Sequence, residues 1–141
     1  MLASLIGAAI LTSDASLRPD RCDVRRPLSY DHDDIAARTI PWSIILLVPE
    51  WEYYVYFYSL SCGHCLSIKE IVLGYAFCGE TPVYFVAQSD EIVFGDDVES
   101  TIGADDISEI FIAGYPSLLE IANGAIAMNV AGSAAVADVL S

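Results

Sequence analysis

From Pro41 onward, apolar residues gather in short runs separated by polar or turn residues, and the period within each run predicts an element. "PWSIILLV" (41–48) begins with a proline suited to the first position of a helix, although its β-branched content also fits a strand. "YYVYFY" (53–58) is apolar or aromatic on both alternating sets, which predicts a central strand covered on both faces, with helices as its neighbours. Ile68, Ile71, Val72, Tyr75 and Ala76 then recur at helical spacing, so a helix starts at the preceding cysteines and Gly79 can cap it. "PVYFVA" (82–87) reads as a second buried strand, and a strand–helix–strand unit implies parallel pairing. In "SLLEIANGAIAMNVAG" (117–132), Asn123-Gly124 between two strand-like runs predicts a hairpin, and "SAAVADVL" (133–140) predicts a closing helix.

The chain ahead of these elements is patterned differently. Leu2 to Leu11 form an apolar run containing Ser4, too short to span a bilayer and of the length of a signal-peptide core. Ser13 and Ala15 offer small residues for cleavage, yet no Lys or Arg precedes the run. An exported or membrane-held chain, and a cytoplasmic chain whose apolar start packs on the domain, both stay open. Residues 13–34 mix acids with Arg18, Arg21, Arg25 and Arg26, carry Pro19 and Pro27 and lack apolar periodicity, which reads as a linker. The expected organisation is an N-terminal extension over 1–39 and a folded domain over 40–141. "DHDD" (31–34) reads as a solvated helix entry rather than a metal site, since acids favour a helix start and the chain has one other histidine.

Composition narrows the function. A chain of 141 residues fits one domain with a core that needs no disulfide staples. Six basic against 20 acidic residues, a net charge of −14, opposes binding to nucleic acid and to anionic membrane surfaces. A hydrophobic content of 55% is high for a soluble domain and fits exposed apolar surface, self-association or a membrane-held N-terminus. The acidic segments "GDD" (95–97) and "ADD" (104–106) lack the ligand pattern of a calcium loop. A glycine-rich phosphate loop, H-E-x-x-H and G-x-S-x-G are absent from the sequence.

The chemistry-bearing stretch is "SCGHC", in which Cys62 and Cys65 stand two residues apart between the first strand and its helix. A structural zinc takes four ligands, commonly from two such pairs, and only one pair is present; Cys22 and Cys78 are distant. An inert disulfide would close too small a loop to constrain the unfolded chain much. The spacing therefore favours a redox dithiol over both. At a helix N-terminus, unpaired N–H groups and the helix dipole stabilise a thiolate, which makes Cys62 the expected nucleophile with a lowered pKa. Cys65, one turn inward, is the expected resolving thiol. His64 can add positive charge beside the thiolate, and Gly63 keeps the turn unobstructed.

With these residues in place, the chain from about 40 to 141 resembles the thioredoxin-like family, and "CGHC" resembles the active-site tetrapeptide of protein disulfide isomerase domains. "FYS" before the cysteines, "GYPSLLEIANG" (114–124) and Gly132 fall in the family's order. The resemblance implies a thioredoxin fold, a mixed β-sheet flanked by helices. It implies a thiol–disulfide oxidoreductase acting on protein or peptide thiols, with a redox partner and without a cofactor. It also implies a mildly oxidising pair, near about −180 mV rather than about −270 mV. "GYPS" looks like the family's cis-proline loop, which implies a cis Tyr115–Pro116 bond, with Pro116 facing the dithiol and both residues lining a substrate groove. The chain departs from the pattern at four positions. Tyr56 stands in the place of a buried acid, Ser61 in that of an aromatic residue, Leu66 in that of a lysine and Glu70 in that of a helix-kinking proline. Ser61 could cap the helix instead. A binding module that holds partners in the same groove with little redox turnover is the alternative from another class.

Overall fold

The structure, a computed structural model, describes residues 29–31 and 33–141. The apolar run at 2–11, most of the expected linker, Cys22 and His32 lie outside them. The described elements are helix α1 (Asp33–Ala36), strand β1 (Glu52–Tyr58), helices α2 (Gly63–Ser67) and α3 (Lys69–Cys78), strand β2 (Val83–Ala87), strands β3 (Ser117–Ala122) and β4 (Ala125–Ala131), and helix α4 (Ser133–Leu140). The sheet order is β2-β1-β3-β4, with β1 parallel to β2 and antiparallel to β3, and β3 antiparallel to β4. A βαβ unit followed by a ββα unit in one mixed sheet is the thioredoxin fold.

Alternation along β1 builds two cores. Tyr56 and Tyr58 join Phe85, Leu118, Val72, Leu73 and Val136 under the helices. Tyr53, Val55 and Phe57 face Val86, Leu119, Ile121 and Ile126 on the other side. That second face is not covered by α-helices as the sequence pattern suggests. Its cover comes from the chain before β1 and from the long connection between β2 and β3, through Trp42, Ile45, Ile92, Ala104, Ile110 and Ile112. Asn129 of β4 ties that connection down, donating to Thr101 Oγ1 and to the Phe111 carbonyl, each at 3.0 Å.

Three local expectations are corrected. "PWSIILLV" forms neither an α-helix nor a strand but a 3-10 turn, Trp42–Ile44, which seats Trp42 and Ile45 on the sheet and leaves Leu47 exposed. The helix after the cysteines breaks at Ile68, whose φ of −109° and ψ of 12° separate α2 from α3. The break rephases α3, so Leu73 is buried and Ile71 is exposed. Finally, packing begins well before residue 40. Tyr30 and Ile35 belong to the helix-side core, and the Phe85 N–H donates to the Arg38 carbonyl at 2.9 Å. The end of the expected linker is therefore part of the packed body.

Turn chemistry follows the sequence. Asn123 and Gly124 both have positive φ, 53° and 78°, as a two-residue hairpin of this hand requires. Gly132 adopts φ 96° and ψ 152°, a region essentially reserved for glycine, and its N–H donates to the Pro116 carbonyl at 2.9 Å. This turn joins the end of β4 to the start of β3 beside the site.

Candidate functional site

Strand β1 ends at Tyr58, and Ser59–Ser61 lead the chain from the end of this central strand into α2. The residue that caps α2 is Cys62 itself. Its φ of −93° and ψ of 113° are extended, and its Sγ accepts the Cys65 N–H at 3.1 Å. Ser61 does not cap; its hydroxyl and that of Ser59 lie 3.0 Å apart, and the Ser59 hydroxyl also donates to Gln88 Oε1 at 2.6 Å. A thiol at the N-cap satisfies one of the backbone donors that a helix start leaves unpaired.

The two thiols are free and differ in access: Cys62 is half-buried, whereas Cys65 is 0% exposed in the helix-side core. Burial pushes the Cys65 thiol up to about 12, helped by its hydrogen bond with Cys62, while the Ser59 backbone and the Tyr56 side chain pull it partly back. Cys78, the last residue of α3, is disulfide-bonded and stands apart from this pair. His64 and Gly63 are exposed on the first turn. A Cβ at Gly63 would meet nothing within 4 Å and its φ is not left-handed, so the turn itself does not need glycine.

Opposite the thiols lies the start of β3. The Tyr115–Pro116 peptide bond is cis. The Tyr115 carbonyl lies 3.7 Å from the Cys62 thiol, and Pro116 is buried. Sequence reasoning missed Phe94, whose ring packs edge-on against Tyr115 at 5.5 Å while half its surface stays exposed. It also missed Tyr30, whose hydroxyl donates to the Cys65 carbonyl at 2.8 Å. The one available signal was an aromatic residue alone in a charged segment. Leu60 and Leu66, exposed on either side of Cys62 in the chain, add apolar surface to this end of the molecule. A groove of about 300 Å³, which Leu60 helps to line, opens between Tyr58–Ser61 and Ala87–Gln88.

A scan against protein-family models and a search of curated proteins found no match. Solved structures similar to this chain include a thioredoxin pre-protein from Schistosoma mansoni, 16% identical over 73% of this chain and 95% of the other, with a TM-score of 0.45. Thioredoxin f from spinach chloroplast is 11% identical over 73% and 90% of the two chains, with a TM-score of 0.45. A mutant thioredoxin from Halobacterium salinarum is 18% identical over 64% and 73%, with a TM-score of 0.37.

Among the described residues, no group of three or more His, Cys, Asp or Glu could hold a metal ion, and no helix is long and apolar enough to cross a membrane. Asp33 and Asp34 of the "DHDD" segment open the short helix α1 in solvent.

Proposed function

We propose that the protein is a thiol–disulfide oxidoreductase that exchanges disulfides with protein or peptide thiols through Cys62 and Cys65. The observation that carries this reading is the asymmetry of the pair: an accessible sulfur capping a helix, hydrogen-bonded to the backbone of a buried one. Cys62 attacks one sulfur of a substrate disulfide, forming a mixed disulfide and expelling the other sulfur as a thiolate. Cys65 then attacks Cys62 Sγ, the substrate–Cys62 bond breaks, and its electron pair leaves with the substrate sulfur. The pair gains a disulfide and the substrate becomes two thiols; the reverse sequence oxidises a substrate. The "CGHC" tetrapeptide supports a potential on the oxidising side, as in disulfide isomerase domains.

The carbonyl of Tyr115 and the apolar rim of Leu60, Leu66 and Phe94 suit an extended polypeptide, whose backbone pairs with the loop while its side chains cover the rim. Tyr115 and Pro116 are the substrate-binding residues of this reading. A second reading draws on one observation, the thiol of Cys65 held high by burial. A resolving thiol that rarely ionises would leave a binding module that holds partners and turns over little. Reduction of insulin by dithiothreitol separates the two. Catalysis that is lost in Cys62→Ser supports the oxidoreductase, and a wild-type protein that gives no acceleration over dithiothreitol alone rejects it.

A further inference from the structure

Beneath the dithiol, where a buried acid would sit by resemblance, there are two phenols. Tyr56 on β1 is 0% exposed, and Tyr30, from the segment before α1, is 4% exposed. Their hydroxyl oxygens lie 2.9 Å apart. The Tyr30 ring stacks on Tyr58 at 4.6 Å and lies 5.8 Å from the Tyr56 ring, which fixes where its hydroxyl points.

The proton positions follow from counting donors. Each phenol has one hydrogen to give and two lone pairs to receive with. The Tyr30 hydrogen goes to the Cys65 carbonyl at 2.8 Å, so the Tyr56 hydrogen goes to the Tyr30 oxygen. The Tyr56 oxygen keeps its accepting lone pairs in the same buried core as Cys65, and the Tyr56 hydroxyl pulls the Cys65 thiol down, as a group that can donate to the thiolate does. A carboxylate in this place could only accept. A pair of hydroxyls can do both, because each can rotate its hydrogen.

We propose that Tyr30 and Tyr56 form a reversible hydroxyl pair whose resting bond runs from Tyr56 to Tyr30 and which turns to donate to the Cys65 sulfur when it attacks. In the second state Tyr56 donates to sulfur and Tyr30 donates to the Tyr56 oxygen. Tyr30 is thereby a positioning residue supplied by the segment ahead of the sheet. This rests on the oxidoreductase reading above and deepens it. Both phenols stay neutral throughout, since burial raises both of their pKa values well above the ordinary tyrosine value. In the resolving step, the Cys62–substrate bond breaks and the Cys62–Cys65 bond forms. Cys65 loses a proton to solvent, and the departing substrate thiolate takes one up, so protons and electrons balance. The other titratable groups near the pair are Cys62 and Tyr58, with Asp31 acting on Tyr58.

The test uses 5,5′-dithiobis(2-nitrobenzoate) on the reduced full-length protein in a stopped-flow instrument. Attack by Cys62 releases one coloured thiolate, and attack by Cys65 on the resulting mixed disulfide releases the second. Tyr30→Phe keeps the ring and its stack while deleting the hydroxyl. It is expected to leave the first phase unchanged, to slow the second by about tenfold at pH 7, and to move the second phase's pH profile upward. Tyr56→Phe is expected to slow the second phase by about tenfold to a hundredfold, and the double variant no further, because the two hydroxyls act in one chain. A wild-type second phase with the rate and pH profile retained in Tyr30→Phe overturns the hydroxyl pair alone. Wild-type protein that releases only one equivalent overturns the exchange reading and this inference with it.

Discussion

The Cys65 N–H donates to Cys62 Sγ at 3.1 Å, so the sulfur that faces solvent is held by the backbone of the residue whose own sulfur is hidden. This one contact ties the helix start, the exposed thiol and the buried thiol into a single unit. For the proposed exchange it predicts an order of reaction.

Brief alkylation with iodoacetamide at pH 7 should modify Cys62 and spare Cys65. Cys65 is wholly buried and its thiol is pushed up to about 12, so its thiolate is scarce at neutral pH. Because the folded state favours the neutral thiol, stability from this group is intact below the ordinary thiol value of about 8.5 and is lost as pH rises from there toward about 12. Peptide mapping that finds Cys65 labelled first would reverse the assigned roles.

Cys65→Ser should accumulate mixed disulfides through Cys62, since no second thiol remains to release them. Non-reducing gels and mass spectrometry of protein incubated with glutathione disulfide should show one glutathione per chain on Cys62. Rapid spontaneous release would mean that another group resolves the bond.

Two glycines flank the site and should respond oppositely. Gly132→Ala forces a side chain into φ 96° and ψ 152° and should cost roughly 1–3 kcal/mol in a urea melt. Gly63→Ala meets open space at an ordinary helical φ and should be neutral or stabilising by up to about 0.5–1 kcal/mol. Equal losses at both positions would contradict the backbone argument.

Glu120 of β3 and Glu52 of β1 lie on neighbouring strands, and the Glu52 carboxyl beside it, together with partial burial, raises Glu120 above the ordinary carboxyl value. A raised acid holds its proton more tightly when folded. Its contribution is therefore complete below the unfolded-state pKa and is lost as pH rises through the folded-state pKa. Glu120→Gln should then stabilise the protein at pH 7 by about 0.5 kcal/mol or less, given solvent screening, and should do nothing below about pH 4. Urea midpoints at both pH values decide this, and an equal effect at both would rule out the raised carboxyl.

Legibility of the fold in the sequence tracked how local each signal was. The Asn123-Gly124 turn, the doubly buried β1 strand and the helix beginning after Cys62 are each set by neighbours within a few residues, and each was readable. Tyr30 was not, because its hydrogen-bond partners lie 26 and 35 residues away and nothing around it repeats. Ile71 was misplaced because the backbone turns at Ile68, and a helical period read across a break assigns the wrong face. "PWSIILLV" misled for a related reason: burial of Trp42 and Ile45 three apart satisfies the sheet with a 3-10 turn, at a spacing that an α-helix would share. At the site, the residue types of "CGHC" were visible, but which sulfur is hidden and which carbonyl faces the other depend on chain crossings that no local window contains.

A reversible disulfide between Cys62 and Cys65 is the core of the proposed chemistry, and equilibrium titration in glutathione buffers measures it directly. Protein equilibrated across the series, acid-quenched, alkylated and mapped should show one two-electron transition. The peptide carrying both cysteines should lose two hydrogens without gaining glutathione, with a midpoint near about −180 mV. A pair that stays reduced across the series, or a Cys62 that gains glutathione while Cys65 never joins it, would contradict the exchange mechanism.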